Sequence, residues 1–141
     1  MAANIDASNV ARDLYNQWAA ALRAHSYDWF ERHLSEDYMF SAHPFPDMRL
    51  DKATFIEVDK KIGAADIRFV SVEADLVDEI IISRVIADVK EEFKADLGAG
   101  LPSAAEVNRL FSGERFAYVS AWRKTGNVWQ CFDHHMIGAV R

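Results

Sequence analysis

The chain has 141 residues, half of them apolar and 12% aromatic, which fits one domain able to bury a core without disulfides or a structural metal. Its formal charge of −6 argues against a nucleic-acid backbone or an anionic membrane as partner, and for a small, uncharged or weakly charged molecule. The single cysteine, Cys131, has no second thiol to pair with and reads as a small core residue in a reducing compartment. The opening residues lack a basic region followed by an apolar run, and no stretch reaches the ~18 apolar residues of a membrane span, so a cytoplasmic location is expected.

Asp6 or Ser8 is placed to cap a first helix, whose stripe Val10, Leu14, Trp18 and Leu22 runs in i, i+4 steps flanked by Ala11, Tyr15 and Ala21 and ends near His25. Tyr27, Trp29, Phe30, His33 and Leu34 predict a short second helix. Ser35-Glu36-Asp37 reads as punctuation before a strand from Tyr38 to Ala42. The prolines of His43-Pro44-Phe45-Pro46-Asp47 predict a break in regular structure. Asp51 opens a third helix with Phe55, Ile56 and Ile62 apolar, stopping at Gly63.

From Ile67 to Leu76 the pattern turns to alternation, with Val70, Val72, Ala74 and Leu76 on one face. After a turn at Asp78-Glu79, Ile80 to Phe93 reads as a long strand. Its charged outer half, Asp88-Val89-Lys90-Glu91-Glu92, is expected to project into solvent. Leu97 to Phe111 contains two glycines, Pro102 and a capping box at Ser103 and Glu106, the makings of a movable flap with one short helix. Arg115 to Val140 is a hairpin around Thr125-Gly126-Asn127. Strict alternation in its second strand places Gln130, Phe132, His134 and Met136 on one face and Trp129, Cys131, Asp133 and His135 on the other. The order of elements is that of an α+β domain with helices on one face of a curved sheet.

Several stretches together resemble the nuclear transport factor two-like superfamily, in its SnoaL-like and ketosteroid-isomerase-like branches. They are Trp18 in the first helix, Trp29-Phe30 before Ser35-Glu36-Asp37-Tyr38, the break at His43-Pro44-Phe45, and Tyr118-Val-Ser-Ala-Trp122 running through Gly126 and Trp129 to His135. The resemblance covers nearly the whole chain. It implies a cone-shaped, cystatin-like α+β barrel, its curved mixed sheet wrapped around the first helix with a pocket at the open end. At the positions that carry isomerase chemistry in that branch, this chain has His43 before Pro44-Phe45, Trp18 and Ser120. None matches, so steroid isomerisation is not implied; such folds host many chemistries.

The functional expectation is a small-molecule pocket protein with the acid–base chemistry of an isomerase, cyclase or dehydratase and no cofactor. His43 is its candidate base, because an imidazole titrates near neutrality. Ser120 and Trp18 are candidate donors to a developing oxyanion and His134 an auxiliary acid. Tyr15, Trp18, Tyr118, Trp122, Phe132 and Met136 are the expected binding wall. Asp133 and His135 share a face at i, i+2, but no third ligand completes a metal site, so none is expected. The rival expectation is a non-catalytic ligand-binding or assembly domain. In either case apolar residues on both faces of the hairpin predict a homodimer through the convex side of the sheet.

Overall fold

The computed structural model describes residues 6–141. Asp6 does cap the first helix, α1 (Ala7–Ala24), its carboxylate accepting the Asn9 backbone N–H at 3.2 Å, and His25 ends it in a left-handed conformation. A short α2 (Tyr27–His33) follows and runs without punctuation into β1 (Leu34–Ala42), so Leu34 to Asp37 are strand residues. The proline-rich stretch is also regular: Phe45–Asp51 forms β2, paired antiparallel to β1. The predicted break fails because β2 is an edge strand, where Pro46 can lack a donor without leaving a ladder bond unmade. Asp51 caps α3 (Lys52–Asp59) through Thr54 N–H at 2.9 Å. The helix stops at Asp59 rather than at Gly63, because the next strand already begins at Ile62.

That strand, β3 (Ile62–Val77), pairs with β4 (Ile80–Phe93), and after α4 (Ala104–Leu110) come β5 (Ser112–Thr125) and β6 (Val128–Ala139). The six strands form one mixed sheet in the order β2-β1-β6-β5-β4-β3, with β1 and β6 parallel. The helices of the α+β arrangement cover its concave face. Ser8 and Arg12 of α1 close the outer edge of β3: the Ser8 hydroxyl accepts from Ala74 N–H and donates to the Ala74 carbonyl, while Arg12 donates to the Val72 carbonyl at 3.2 Å. An edge so occupied offers little template for another strand.

The core is aromatic and centres on Trp18. Its indole packs edge-on against Trp29, Phe30, Phe55, Trp122 and His134, with ring centroids 4.9 to 6.2 Å apart. Edge-to-face packing of that kind adds about 1 kcal/mol per pair beyond area burial.

Slips in strand register decide which side chains face the core. Trp122 pairs with Cys131 but Ala121 pairs with Asp133, so Phe132 is an extra residue and the alternation restarts after it. Cys131, read as a small core residue although strict alternation put it on the face of Asp133 and His135, is fully buried beside Trp122, and Phe132 lies outside under the Arg123 guanidinium, 4.6 Å from its ring centroid. A second slip leaves Ile137 unpaired between Met136 and Gly138. A third, at Val70, puts Ile67 and Phe69 before it and Val72 after it on the inner side, and leaves Val70 and Leu76 exposed.

Candidate functional site

A cavity of about 110 Å³ opens between α1, α3 and the concave face of the sheet. Its walls are apolar: Trp18 and Leu22 from α1, Phe55 and Val58 from α3, Phe69 from β3, Val85, Ala87 and Val89 from β4, and Met136 from β6. Leu97, Val107 and Phe111, from the segment expected to be a flap, close one side. That segment is tied to β4, since the Asn108 side chain accepts the Phe93 N–H at 2.6 Å and donates to the Phe93 carbonyl at 3.2 Å.

Five ionisable side chains reach the lining: Tyr15, Asp59, Glu91, Tyr118 and His134. Asp59 is the last residue of α3, one turn after Phe55, and the same helical stripe that buries Phe55 carries its carboxyl inward. It is 5% exposed. Its Oδ2 has no hydrogen-bond partner among the described residues. Burial first, and then the nearby Glu91 charge, hold its pKa well above the usual carboxylate range. The carbonyls at the end of α3 oppose a negative charge there as well.

Glu91 lies on β4 in step with Ile81, Ser83, Val85, Ala87 and Val89, all buried. Parity therefore turns it inward, and the expected solvated charge run is half interior. Burial pushes its carboxyl up to about 7. Tyr118, on the adjacent strand, is pushed up by burial and then by the Glu91 charge.

His134 is buried, and desolvation followed by repulsion from His135 lowers its imidazole to about 3, so at neutral pH it is uncharged. Its Nδ1 hydrogen-bonds the Tyr38 hydroxyl at 3.2 Å, and Nε2 has no protein partner among the described residues. A neutral ring so held can donate or accept one hydrogen bond to a ligand but cannot supply a positive charge.

Of the residues expected at a site, Tyr15, Trp18, Tyr118, His134 and Met136 do line the cavity. Ser120 and Trp122 are buried but lie behind it. Ser120 is the centre of a closed cluster, bonded to the Tyr15 hydroxyl, to Ser83 at 2.6 Å and to the Trp122 indole N–H at 3.0 Å. Phe132 is on the convex side for the reason given above. His43 does not meet His134: it is exposed in the turn between β1 and β2, outside the lining, and only its backbone N–H is engaged, with the Met136 carbonyl at 2.9 Å. An imidazole in solvent cannot come within the ~3 Å of a cavity-bound proton that base catalysis requires. Asp133 is exposed, and His135 bonds Ser41 at 2.6 Å, so this pair forms no ligand set; among the described residues no group of three or more metal-ligating side chains converges.

Asp59 and Glu91 are the two carboxyls on the lining that were not among the residues expected there. The signals existed: the even alternation from Ile81 to Phe93 passes through Glu91, and Asp59 is four residues beyond Phe55.

No protein-family model matches the chain, and neither does any curated protein. Solved structures do. An NTF2-like protein from Cytophaga hutchinsonii superposes with a TM-score of 0.71 at 15% identity, over 92% of this chain and 96% of that one. A protein from Exiguobacterium sibiricum, named for a calcium/calmodulin-dependent kinase II association domain, gives 0.70 at 14% identity over 99% and 98%. A protein with a cystatin-like fold from Caulobacter vibrioides gives 0.69 at 10% identity over 95% and 90%. The chain thus has the nuclear transport factor two-like, cystatin-like fold. Likeness at these identities is one of fold, and the reaction or ligand has to be argued from the cavity. Among the described residues no helix is long and apolar enough to cross a membrane.

Proposed function

We propose that the chain is a small-molecule pocket protein that exchanges a proton with the molecule it holds, using Glu91 as base and Asp59 as a carboxylic acid kept protonated. The observation that carries this reading is a pair of carboxyls inside an apolar cavity whose lining includes no lysine or arginine among the described residues. Structural ion pairs come with their counter-charges; this pair does not. A carboxyl titrating at about 7 is divided between base and acid at physiological pH, which suits proton abstraction, and a neutral Asp59 can donate to a developing oxyanion. This keeps the isomerase, cyclase or dehydratase class and moves its chemistry from histidine to carboxyl groups.

The test is a fragment screen by NMR followed by incubation of each binder in heavy water. Wild type should catalyse deuterium uptake into at least one binder, with a rate that rises through pH ~7, and Glu91→Gln should lower that rate by about 100-fold or more while still binding. Binders that take up no deuterium above the buffer rate would leave the pocket and remove the catalysis.

A second reading, self-association, draws on a different surface. The convex centre of the sheet carries Ile82, Ile86, Val119 and Ala121 together with Ile137, which is 46% exposed, and no helix among the described residues is seen to cover it. Arg84 lies within this face, between Ile82 and Ile86 and opposite Val119, and its charge is paired with Asp75 at 3.0 Å and Glu73 at 3.9 Å on β3. The assembly supported is a homodimer through this face. Sedimentation should give twice the 16.0 kDa chain mass, and Val119→Asp should return the single-chain mass; a monomeric wild type at micromolar concentration removes the idea.

A further inference from the structure

The unpaired carboxyls also say what kind of molecule the cavity is built to hold. Asp59 and Glu91 arrive from different elements, the end of α3 and the inner face of β4, and both reach the same lining. The two lysines that follow Asp59 in the chain are committed elsewhere, Lys60 to Glu57 at 3.0 Å and Lys61 to the Leu97 carbonyl at 2.6 Å. Asp59 Oδ2 is buried without a donor among the described residues. Ring faces and edges of Trp18, Phe55, Phe69 and Tyr118 surround the rest of the space. Two acceptor groups lacking a cation, within an aromatic wall, are the complement of a positively charged nitrogen on a hydrocarbon body. The negative end of α3 and the chain's net charge of −6 act in the same direction.

We propose that the ligand is a small apolar amine in its ammonium form, its nitrogen held by Asp59 and Glu91 and its hydrocarbon body in the aromatic cavity. The proposal rests on the pocket reading above and is independent of whether the bound amine is turned over. An ammonium ligand supplies donors to Asp59 Oδ2 and draws out the ionised form of that carboxyl, whose protonated form burial favours in the empty cavity, so the bound state sets one cation against two carboxylates. A carboxylate or phosphate ligand meets two acids and no cation, and is excluded by the same arrangement. A neutral alcohol of equal shape gains the apolar contacts but leaves the carboxyls uncompensated.

Three probes of matched shape decide the matter: butylamine, 1-butanol and butyrate, titrated at pH 7.5 into the labelled full chain by two-dimensional NMR, with the Trp18 indole N–H as reporter. Butylamine should bind at least 10-fold more tightly than 1-butanol, and butyrate should not bind measurably. In Asp59→Asn and Glu91→Gln, each checked for folding by its melting transition, 1-butanol should keep its affinity within a few-fold and the amine's advantage should shrink to less than 3-fold. The wild-type ranking is informative even if a variant fails to fold. Butanol binding as well as butylamine, or butyrate binding better than either, overturns the amine assignment and leaves the pocket standing. If none of the three binds, the pocket reading falls and this proposal with it.

Discussion

Two groups of polar side chains lie inside the cone, and they are treated in opposite ways. Ser83, Ser120, Tyr15 and the Trp122 indole form a closed cluster in which each hydroxyl and N–H finds a partner. Asp59 and Glu91, on the same concave side, are buried or half-buried, and neither has a cation or a donor from the described protein to compensate it. A satisfied polar cluster holds strands and helix in register; an unsatisfied one costs stability and is retained where a ligand completes it. The sheet thus separates a polar cluster that is satisfied when the chain folds from a pair of carboxyls that folding leaves uncompensated, the pair on which the proposed ligand would act.

The largest effect should come from breaking the satisfied cluster. Ser120→Ala leaves the Tyr15 hydroxyl and the Trp122 N–H without their shared partner, and denaturant unfolding should show a loss of about 3 kcal/mol. The relative affinities of amine and alcohol should not change, because Ser120 is outside the lining.

The uncompensated pair should respond with the opposite sign. Glu91 has a folded pKa of about 7, above its unfolded value, so its protonated form stabilises the chain at low pH and that contribution is lost as pH rises through 7. Asp59, also raised, adds to the same alkaline limb. His134, lowered to about 3, acts in the other window: its contribution is present above the unfolded pKa of about 6.5 and is lost as pH falls below it. Tyr15 and Tyr118, the other ionisable groups on the lining, are pushed upward and stay neutral across this range. Glu91→Gln should therefore be about 2 kcal/mol more stable than wild type at pH 8 and nearly equal to it at pH 5, read from melting curves against pH. A gain at pH 5 as large as at pH 8 would show that Glu91 is not titrating in the cavity.

A smaller effect tests the wall of the site. Asn108 clamps the segment around α4 to Phe93 with two bonds, so Asn108→Ala should speed amide exchange from Leu97 to Phe111 by about 10-fold and cost about 1 kcal/mol. Exchange unchanged in the variant would mean that the segment is held by Leu97 and Val107 burial and by the bonds from Lys61 to the Leu97 carbonyl and from Glu91 N–H to the Phe111 carbonyl. The smallest effect belongs to His43. Its side chain is exposed and no hydrogen bond engages it among the described residues, so His43→Ala should alter stability by less than about 0.5 kcal/mol and ligand affinity not at all.

These contrasts also show how far local pattern reaches. The apolar stripe of α1, the caps at Asp6, Asp51 and Ser103, and the hairpin around Gly126 were legible because each depends on residues within one turn or two strands of one another. The fold followed from their order. The strand at Phe45–Asp51 was hidden by Pro46, whose cost vanishes only on an edge, and an edge is defined by the whole sheet. Phe132 was placed on the wrong side because a single extra residue reverses parity, and no residue type announces where a strand will bulge.

Sequence alone determined the elements other than β2, the order in which they follow and the aromatic interior, since periodicity and capping are local properties of the chain. It also contained the cavity wall at Tyr15, Trp18, Tyr118, His134 and Met136. Only the tertiary structure decided that His43 stands in solvent, that Ser120 is sealed behind Tyr15, and that Asp59 and Glu91, 32 positions apart in the chain, come to one lining. Charged residues are written for water until something covers them. What covers Glu91 and Asp59 is the packing of α1, α3 and α4 against the sheet, and the free energy of a buried charge depends on that surrounding medium rather than on its neighbours in sequence.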